Sequence, residues 1–341
     1  MKHLCNPFLS LIGTLLAFAS MAQQEYQFMN TVNNPYMLNP AAAGMQNIMN
    51  FELSSRIQWM GYNGGPRTMV ASGHSPIAIG GERDVMEEYN PKRESMFALP
   101  DVSLGTKHTI GGRAMLESIG PFGRTSAYAS YAYHMPFSKK MNFAAGIGLG
   151  WSHFAVRQDR VVLFHSEDAS YDEFLSNSGS QNIVDANAGI VFYSDCFFFG
   201  ASTTQILKNK VKIASILTES NFNRHFFLVS RYRFPINDEF QLEPGAVVKM
   251  AQNSPLSADM GARLLYNQSS WVGLQYRTGN TVNLQIGSTL INNIYLSYGY
   301  EISVGSNRGG GAGTHELQLG IYLGNTRNLN EELKSGSSEE D

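Results

Sequence analysis

The chain has 341 residues, with 28 acidic against 25 basic side chains and a formal net charge of −3. That balance excludes the basic face that a nucleic-acid partner requires. Only 16% of the residues are charged, while glycine (33) and tyrosine (16) are plentiful, a composition that leans toward a membrane barrel wall more than a soluble charged surface.

Lys2 and His3 precede an apolar run from Phe8 to Ala19, and Ser20-Met21-Ala22 supplies the small residues of a signal-peptidase site. Residues 1–22 therefore read as a cleaved export signal. A membrane anchor needs roughly 20 apolar residues, and this run is shorter. Cys5 leaves with the signal, so Cys196 has no intrachain partner. Stability in an oxidising compartment then rests on something other than disulfides. No later segment offers a membrane-spanning helix.

Residues 23–50 are polar and rich in asparagine and proline, and they read as an ordered, plug-like periplasmic segment without strands. From residue 51 onward the chain alternates with a period of two, the signature of strands. In the first strand, 51–60, Phe51, Leu53, Ile57 and Trp59 fall on one face, and Glu52, Ser54, Arg56 and Gln58 on the other. Strands at 67–77 and 107–117 follow. The next, 125–137, puts Ala127, Ala129, Tyr131, Tyr133, Met135 and Phe137 on one face.

The stretch 142–157 is the most telling. Phe143, Ala145, Ile147, Leu149 and Trp151 share a face, while Asn142, Ala144, Gly146, Gly148 and Gly150 leave the other almost bare. A soluble sandwich buries its bulky face. A wall in lipid turns the bulky face outward and keeps small or polar groups toward the lumen. Further strands are expected at 183–193, 197–206, 223–234, 240–250, 256–266, 270–277, 282–290, 294–304 and 315–323. The sum is about fourteen strands, an even number of the length that crosses a bilayer at a tilt. The fold expected over residues 51–324 is an all-β, transmembrane antiparallel β-barrel with periplasmic N- and C-termini.

Connection lengths agree with that orientation. Short turns at 136–141, 194–195, 235–239, 267–269 and 291–293 fall on the periplasmic side, and the long loops 158–182, 207–222 and 305–314 fall outside, the usual asymmetry. The connection 78–106 is the exception, either a periplasmic lobe or the site of an extra hairpin near 95–102. Residues 325–341 form an acidic tail expected to be disordered.

Chemistry is sparse. His74, His108, His134, His153, His165, His225 and His315 are scattered singly, and His315-Glu316 lacks the second histidine of a zinc helix, so they read as lumen or hydrogen-bonding residues in preference to metal ligands. Gly146-Ile-Gly-Leu-Gly150 lies inside a strand, which rules against a nucleotide loop. Glu167, Asp168, Asp172 and Glu173 read as a solvated acidic loop in preference to a calcium site. There is no nucleophile elbow. No catalytic residue, metal ligand or cofactor is expected. The aromatics Trp59, Tyr62, Trp151, Tyr193, Trp271, Tyr295, Tyr298, Tyr300 and Tyr322 lie mostly near strand ends, where interfacial girdles sit.

Several blocks resemble one family. Asn34-Pro35-Tyr36-Met37-Leu38-Asn39-Pro40-Ala41-Ala42-Ala43-Gly44 is similar to the N-terminal signature of the PorP/SprF family of type IX secretion system membrane proteins. Arg56-Ile-Gln-Trp59, Gly61-Tyr-Asn-Gly-Gly-Pro66 and Arg67-Thr68 resemble its next block, and Ser126-Ala-Tyr-Ala-Ser-Tyr-Ala-Tyr-His134 another. Gly273-Leu-Gln-Tyr-Arg277, Tyr298-Gly-Tyr300 and Gly313-Thr-His-Glu-Leu-Gln-Leu319 resemble its closing pattern. The resemblance implies an outer-membrane barrel of Bacteroidetes-type bacteria that supports export or surface anchoring of large adhesins, some used in gliding. The long connection 78–106 and the acidic tail depart from the family pattern.

The expected function is a non-enzymatic, partner-binding component of type IX secretion. Its partners would be outer-membrane lipid, other secretion components and a large secreted surface protein. The candidate partner-binding residues are Asn34, Pro35, Tyr36, Asn39, Pro40, Trp59, Arg67, His315 and Glu316. The rivals are an outer-membrane channel for small or hydrophobic solutes, whose lumen would be open, and a barrel enzyme acting on lipid.

Overall fold

In the computed structural model, residues 28–29, 31, 34–46, 48–77, 106–138, 140–161, 180–207, 210–211, 220–221, 223–251, 254–267, 269–291, 294–304 and 312–323 are described. The export signal, residues 78–105 of the connection 78–106, the acidic cluster at 167–173 and the tail 325–341 lie outside these residues.

The alternating segments form fourteen antiparallel strands that close into a barrel. They are β1 (Met49–Ile57), β2 (Arg67–Ile77), β3 (Lys107–Ile119), β4 (Phe122–Ser138), β5 (Met141–Val156), β6 (Ser180–Tyr193) and β7 (Phe197–Thr204). The second half holds β8 (His225–Tyr232), β9 (Phe240–Ala251), β10 (Ser257–Tyr266), β11 (Ser270–Arg277), β12 (Thr281–Ile291), β13 (Ile294–Ser303) and β14 (Thr314–Leu323). Each strand pairs with its sequence neighbour. The ring closes where β1 meets β14, from Met49 opposite Leu323 to Ile57 opposite His315. Apart from the loop-end part of β6, which has no ladder partner on the β7 side among the described residues, closure leaves no strand edge to be satisfied by lipid, which has no hydrogen bonds to offer. Two short ladders decorate the barrel, Phe234–Pro235 against β9 and Lys210–Val211 against Ser220–Asn221.

The alternation resolves as the sequence reading anticipates. Phe51, Leu53, Ile147, Leu149, Leu274 and Leu317 stand exposed on the outer surface, while Glu52, Ser54, Arg56 and Ala144 face inward. Such a continuous apolar belt is far larger than a monomer tolerates in water, and lipid is the medium that suits it. None of the described helices is long and apolar enough to cross a membrane; the strands do the crossing.

Because β1 and β14 are neighbours and antiparallel, the barrel's first and last residues share one end, here the terminal end. The opposite, loop end carries the connections 58–66, 157–179, 205–224 and 304–313. It also carries tight turns. Gly120 (φ +55°), Gly279 (φ +101°) and Asn280 (φ +67°) take left-handed backbone there, which only glycine adopts freely and asparagine tolerates.

One expectation is corrected. Tyr193, Trp271, Tyr295 and Tyr322 are not girdle residues: all four are buried on the inner side. Trp271 and Tyr295 lie across glycines directly opposite them in register, Gly287 and Gly320. A Cβ on either glycine would stand within 2 Å of the ring. Tyr128 covers Gly150 in the same way. The bare inner positions are thus partly places where rings lie flat. Trp59, Tyr62, Trp151 and Tyr298 do stand exposed on the outer surface or rim.

Candidate functional site: a lumen filled by residues 28–48

The interior is occupied. Phe28, Met29, Thr31, residues 34–45 and Ile48 are buried inside the barrel, leading into β1 at the terminal end. Two short 3-10 turns shape this plug, Pro35–Met37 and Pro40–Ala42. Proline fits the first helical position because its missing N–H would be unsatisfied there anyway. Asn39 caps the second turn, its Oδ1 accepting from the Ala41 amide at 3.0 Å.

The wall grips the plug largely through its backbone. His134 Nε2 donates to the Ala43 carbonyl at 2.7 Å, Lys107 Nζ to Met45 at 3.1 Å and Ser202 Oγ to Leu38 at 2.7 Å. Arg113 donates to the Met37 carbonyl. The Gly44 amide donates to His74 Nδ1 at 3.1 Å. Deeper in, the Met29 amide donates to Glu316 Oε2 at 2.7 Å, and Gln285 Nε2 donates to the Met29 carbonyl at 3.1 Å. These bonds answer the requirement that buried backbone groups find partners. A segment with so little regular structure finds few of them within itself.

Plug side chains add polar ties. Asn34 Nδ2 reaches Glu52 Oε1 at 2.8 Å, and Tyr36 Oη lies 2.7 Å from Ser130 Oγ. Asn39 Nδ2 bridges the carbonyls of Ile190 and Ala201 at 3.0 and 3.2 Å, holding β6 and β7 together from within. Around them Leu38, Ala41, Ala42 and Met45 pack on Ala144, Val191, Tyr193, Phe198, Phe227, Val229 and Val247. Glycines let the plug come this close. A Cβ on Gly146 would sit 2.5 Å from the Ala41 nitrogen, and one on Gly189 2.1 Å from Asn39 Oδ1.

The remaining lumen is filled by charge. Lys249, Asp259, Arg277, Glu301, Arg56 and Glu316 form a chain of alternating sign across six strands. Its links are Lys249–Asp259 (2.8 Å), Asp259–Arg277 (2.7 Å), Arg277–Glu301 (2.7 Å), Glu301–Arg56 (3.1 Å) and Arg56–Glu316 (3.3 Å). Three cations meet three anions, so the chain is neutral. Nearer the terminal end Glu243 pairs with Arg233 at 3.0 Å and with Arg263. Burying such groups is tolerable only when each has opposite charge and hydrogen bonds at hand.

The nine candidate residues separate into two groups. Asn34, Pro35, Tyr36, Asn39 and Pro40 lie in the plug, against the barrel's own wall. Glu316 also points inward and clamps Met29. Arg67 and His315 are both register partners of Ile57, so three adjacent strands bring them into one row at the loop end. Trp59 stands beside them on the connection 58–66. That connection is tied down: Met60 N donates to Gly313 O and Ala312 N to Met60 O, both at 2.8 Å, and Gly120 N donates to Gly64 O at 2.9 Å. It therefore presents Trp59, Met60 and Tyr62 to the outside on a fixed platform. Trp59 holds φ +54°, a strained setting for a bulky residue.

Sequence reasoning missed Lys107, Arg113, Ser202 and Gln285, which hold the plug together with the lumen histidines His74 and His134. Lone polar positions on an inward face carry no spacing signal. Among the described residues, no three His, Cys, Asp or Glu side chains form a metal-binding group.

No curated protein matches the chain. Among solved structures, the outer membrane protein Omp33 of Acinetobacter baumannii is similar at 9% identity and TM-score 0.44, over 82% of this chain and 99% of that one. The toluene transporter TbuX of Ralstonia pickettii is similar at 9% identity and TM-score 0.43, over 84% and 91%. The CymD monoaromatic hydrocarbon channel is similar at 12% identity and TM-score 0.44, over 87% and 92%. The description of one family, type IX secretion system membrane protein PorP/SprF, matches residues 20–321, nearly the whole chain. The chain belongs to the PorP/SprF family of type IX secretion system membrane proteins.

Proposed function

We propose that this protein is a non-enzymatic outer-membrane barrel of type IX secretion that works with its lumen closed. It serves as a docking platform that supports export or surface anchoring of a large partner, an adhesin of the gliding type. The observation that carries this reading is the filled interior. Plug residues meet the wall through backbone bonds, and the rest of the lumen is occupied by neutralised charge. A solute channel needs an open path, so the filled lumen weighs against that alternative.

With the lumen taken, partner contact falls to the two ends. Trp59, Tyr62, Arg67 and His315 gather at the loop end, on a connection fixed by backbone bonds. Tryptophan, tyrosine and arginine are the residues that dominate protein interfaces, and a tied-down loop loses little entropy on binding. The loop end would face the cell exterior and hold the exported protein. The terminal end, to which the connection 78–106 and the tail 325–341 attach, would meet the secretion machinery.

The test is deletion of the gene followed by quantification of surface-attached proteins. The reading predicts loss of at least one type IX cargo from the surface, with the cargo degraded, released or retained inside. Unchanged export and anchoring of every such cargo would defeat it.

A further inference from the structure

The outer wall has a polar margin at the loop end. One register row runs through the closure from β13 to β4: Tyr300, His315, Ile57, Arg67, Ser118 and Gly123. The next outward row toward the terminal end holds Leu317, Met69 and Leu116, all exposed. The polar row therefore marks where the apolar belt stops, the level at which lipid headgroups sit.

Two arginines meet on this margin. Arg67 opens β2 and shares its outward face with exposed Met69, while Thr68 between them is buried. Arg157 follows β5, and its amide donates to the Pro121 carbonyl at 2.8 Å. Its side chain lies across β4, where Nε stands 3.9 Å from the place a Cβ on Gly123 would take. Ser118 lies between Gly123 and Arg67 in register. Neighbouring strands are about 4.8 Å apart, so the two cations flank one hydroxyl across roughly 10 Å of wall. Both arginines are exposed, and neither has a carboxylate partner among the described residues. Glu117 falls on the inward face with Met115, and Asp159 lies on the short turn after Arg157.

We propose that Arg67 and Arg157, with Ser118 between them, bind the headgroup phosphate of an outer-leaflet glycolipid. A guanidinium matches phosphate geometry and donates two parallel hydrogen bonds to it. The occupant follows from what lies below. Met69 and Leu116 stand directly beneath the cations on the same face, where the chains of a lipid held by its phosphate would run. An amphiphile with an anionic head matches both rows. A protein partner matches the margin less well, because the margin belongs to the wall, whereas Trp59 and Tyr62 stand on the connection beyond it. The inference rests on the loop end facing the cell exterior, as proposed above. The site is read by lipid binding and the secretion role by cargo retention, so either can fail alone.

The full chain, purified in non-ionic detergent, is titrated with lipid A carrying its phosphates, and bound lipid is counted by native mass spectrometry. The expected result is binding in preference to phosphatidylethanolamine. Arg67→Gln combined with Arg157→Gln should weaken it about tenfold, a ratio equivalent to about 1.4 kcal/mol. Dephosphorylated lipid A should bind the unaltered chain as weakly as intact lipid A binds the double variant. Gly123→Leu, which fills the path of Arg157, should lower binding severalfold, and Lys140→Gln, at the terminal end, should leave it unchanged. Heat-modifiable gel mobility identifies the folded variants, and the dephosphorylated lipid tests the site with no substitution at all. Undiminished binding of dephosphorylated lipid A, or undiminished binding by the double variant, would overturn the proposal. So would displacement of lipid A by millimolar inorganic phosphate, the mark of a free-anion site, or tighter binding of phosphatidylglycerol than of lipid A.

Discussion

Gly146 lies beneath Ala41 so closely that a methyl group on it would stand 2.5 Å from the Ala41 nitrogen. The wall and the plug are therefore fitted to each other at a position where β5 is bare. Gly146→Val should force the plug to shift, lowering stability by about 1–3 kcal/mol, the usual penalty for overpacking. Gly112→Ala meets nothing nearer than 3.7 Å and should be close to neutral. Urea unfolding in vesicles, with limited proteolysis at residues 28–48, separates the two.

Glu243 is the common partner of Arg233 and Arg263 inside the terminal end. Glu243→Gln keeps the shape and removes the charge. Breaking a buried ion pair while its partners stay costs about 3–5 kcal/mol. The variant should unfold at distinctly lower temperature by heat-modifiable mobility, and an unaltered transition would show that water screens these groups.

Sealing has an electrical consequence. The full chain in a planar bilayer should show little steady conductance, whereas a variant lacking residues 28–48 should conduct. Equal conductance from both would mean that ions pass around the plug.

At the rim, Trp59→Ala combined with Tyr62→Ala removes two exposed aromatics. Surface substitutions of this kind change stability by about 0.5 kcal/mol or less, so the barrel should fold normally. Truncating interface anchors costs 2 kcal/mol or more, which is over tenfold in affinity. The expected outcome is normal barrel abundance with reduced retention of the surface partner, read by pull-down from solubilised outer membrane.

The wall was legible in the sequence because lipid imposes a strict rule on every second residue. The faces of 142–157 emerge as read, and those of 51–60 do as far as Ile57, where β1 ends and Gln58, Trp59 and Met60 pass into the connection; the connections group at the two ends as the loop lengths suggest. The plug was harder. Residues 34–44 hold few bulky apolar groups, so they read as a polar segment, and five of them were assigned to an external partner. In a barrel the interior is lined by Glu52, Arg113 and His134, so a polar segment is what fits inside. The same inversion misplaced Trp271 and Tyr295, which look like girdle residues until their partners across the strand, Gly287 and Gly320, are known. The glycines of β5 read as a bare lumen face, whereas Gly146 makes room for Ala41.

A working barrel with a closed lumen is most directly tested by locking the plug. A Cβ on Gly44 would stand 3.0 Å from the Cβ of Thr109, and Gly44 holds φ +69°; that is about 0.5 Å inside the disulfide range, so the bridge asks the plug to shift slightly and the reduced state is the control for that strain. Gly44→Cys with Thr109→Cys, in a chain carrying Cys196→Ser, would tie residues 28–48 to β3. Surface retention of the type IX cargo is then measured in a deletion strain complemented with this variant, oxidised and reduced. Full rescue in both states is the predicted result. Rescue that disappears on oxidation and returns on reduction would contradict it, because the lumen would then have to open for the protein to work.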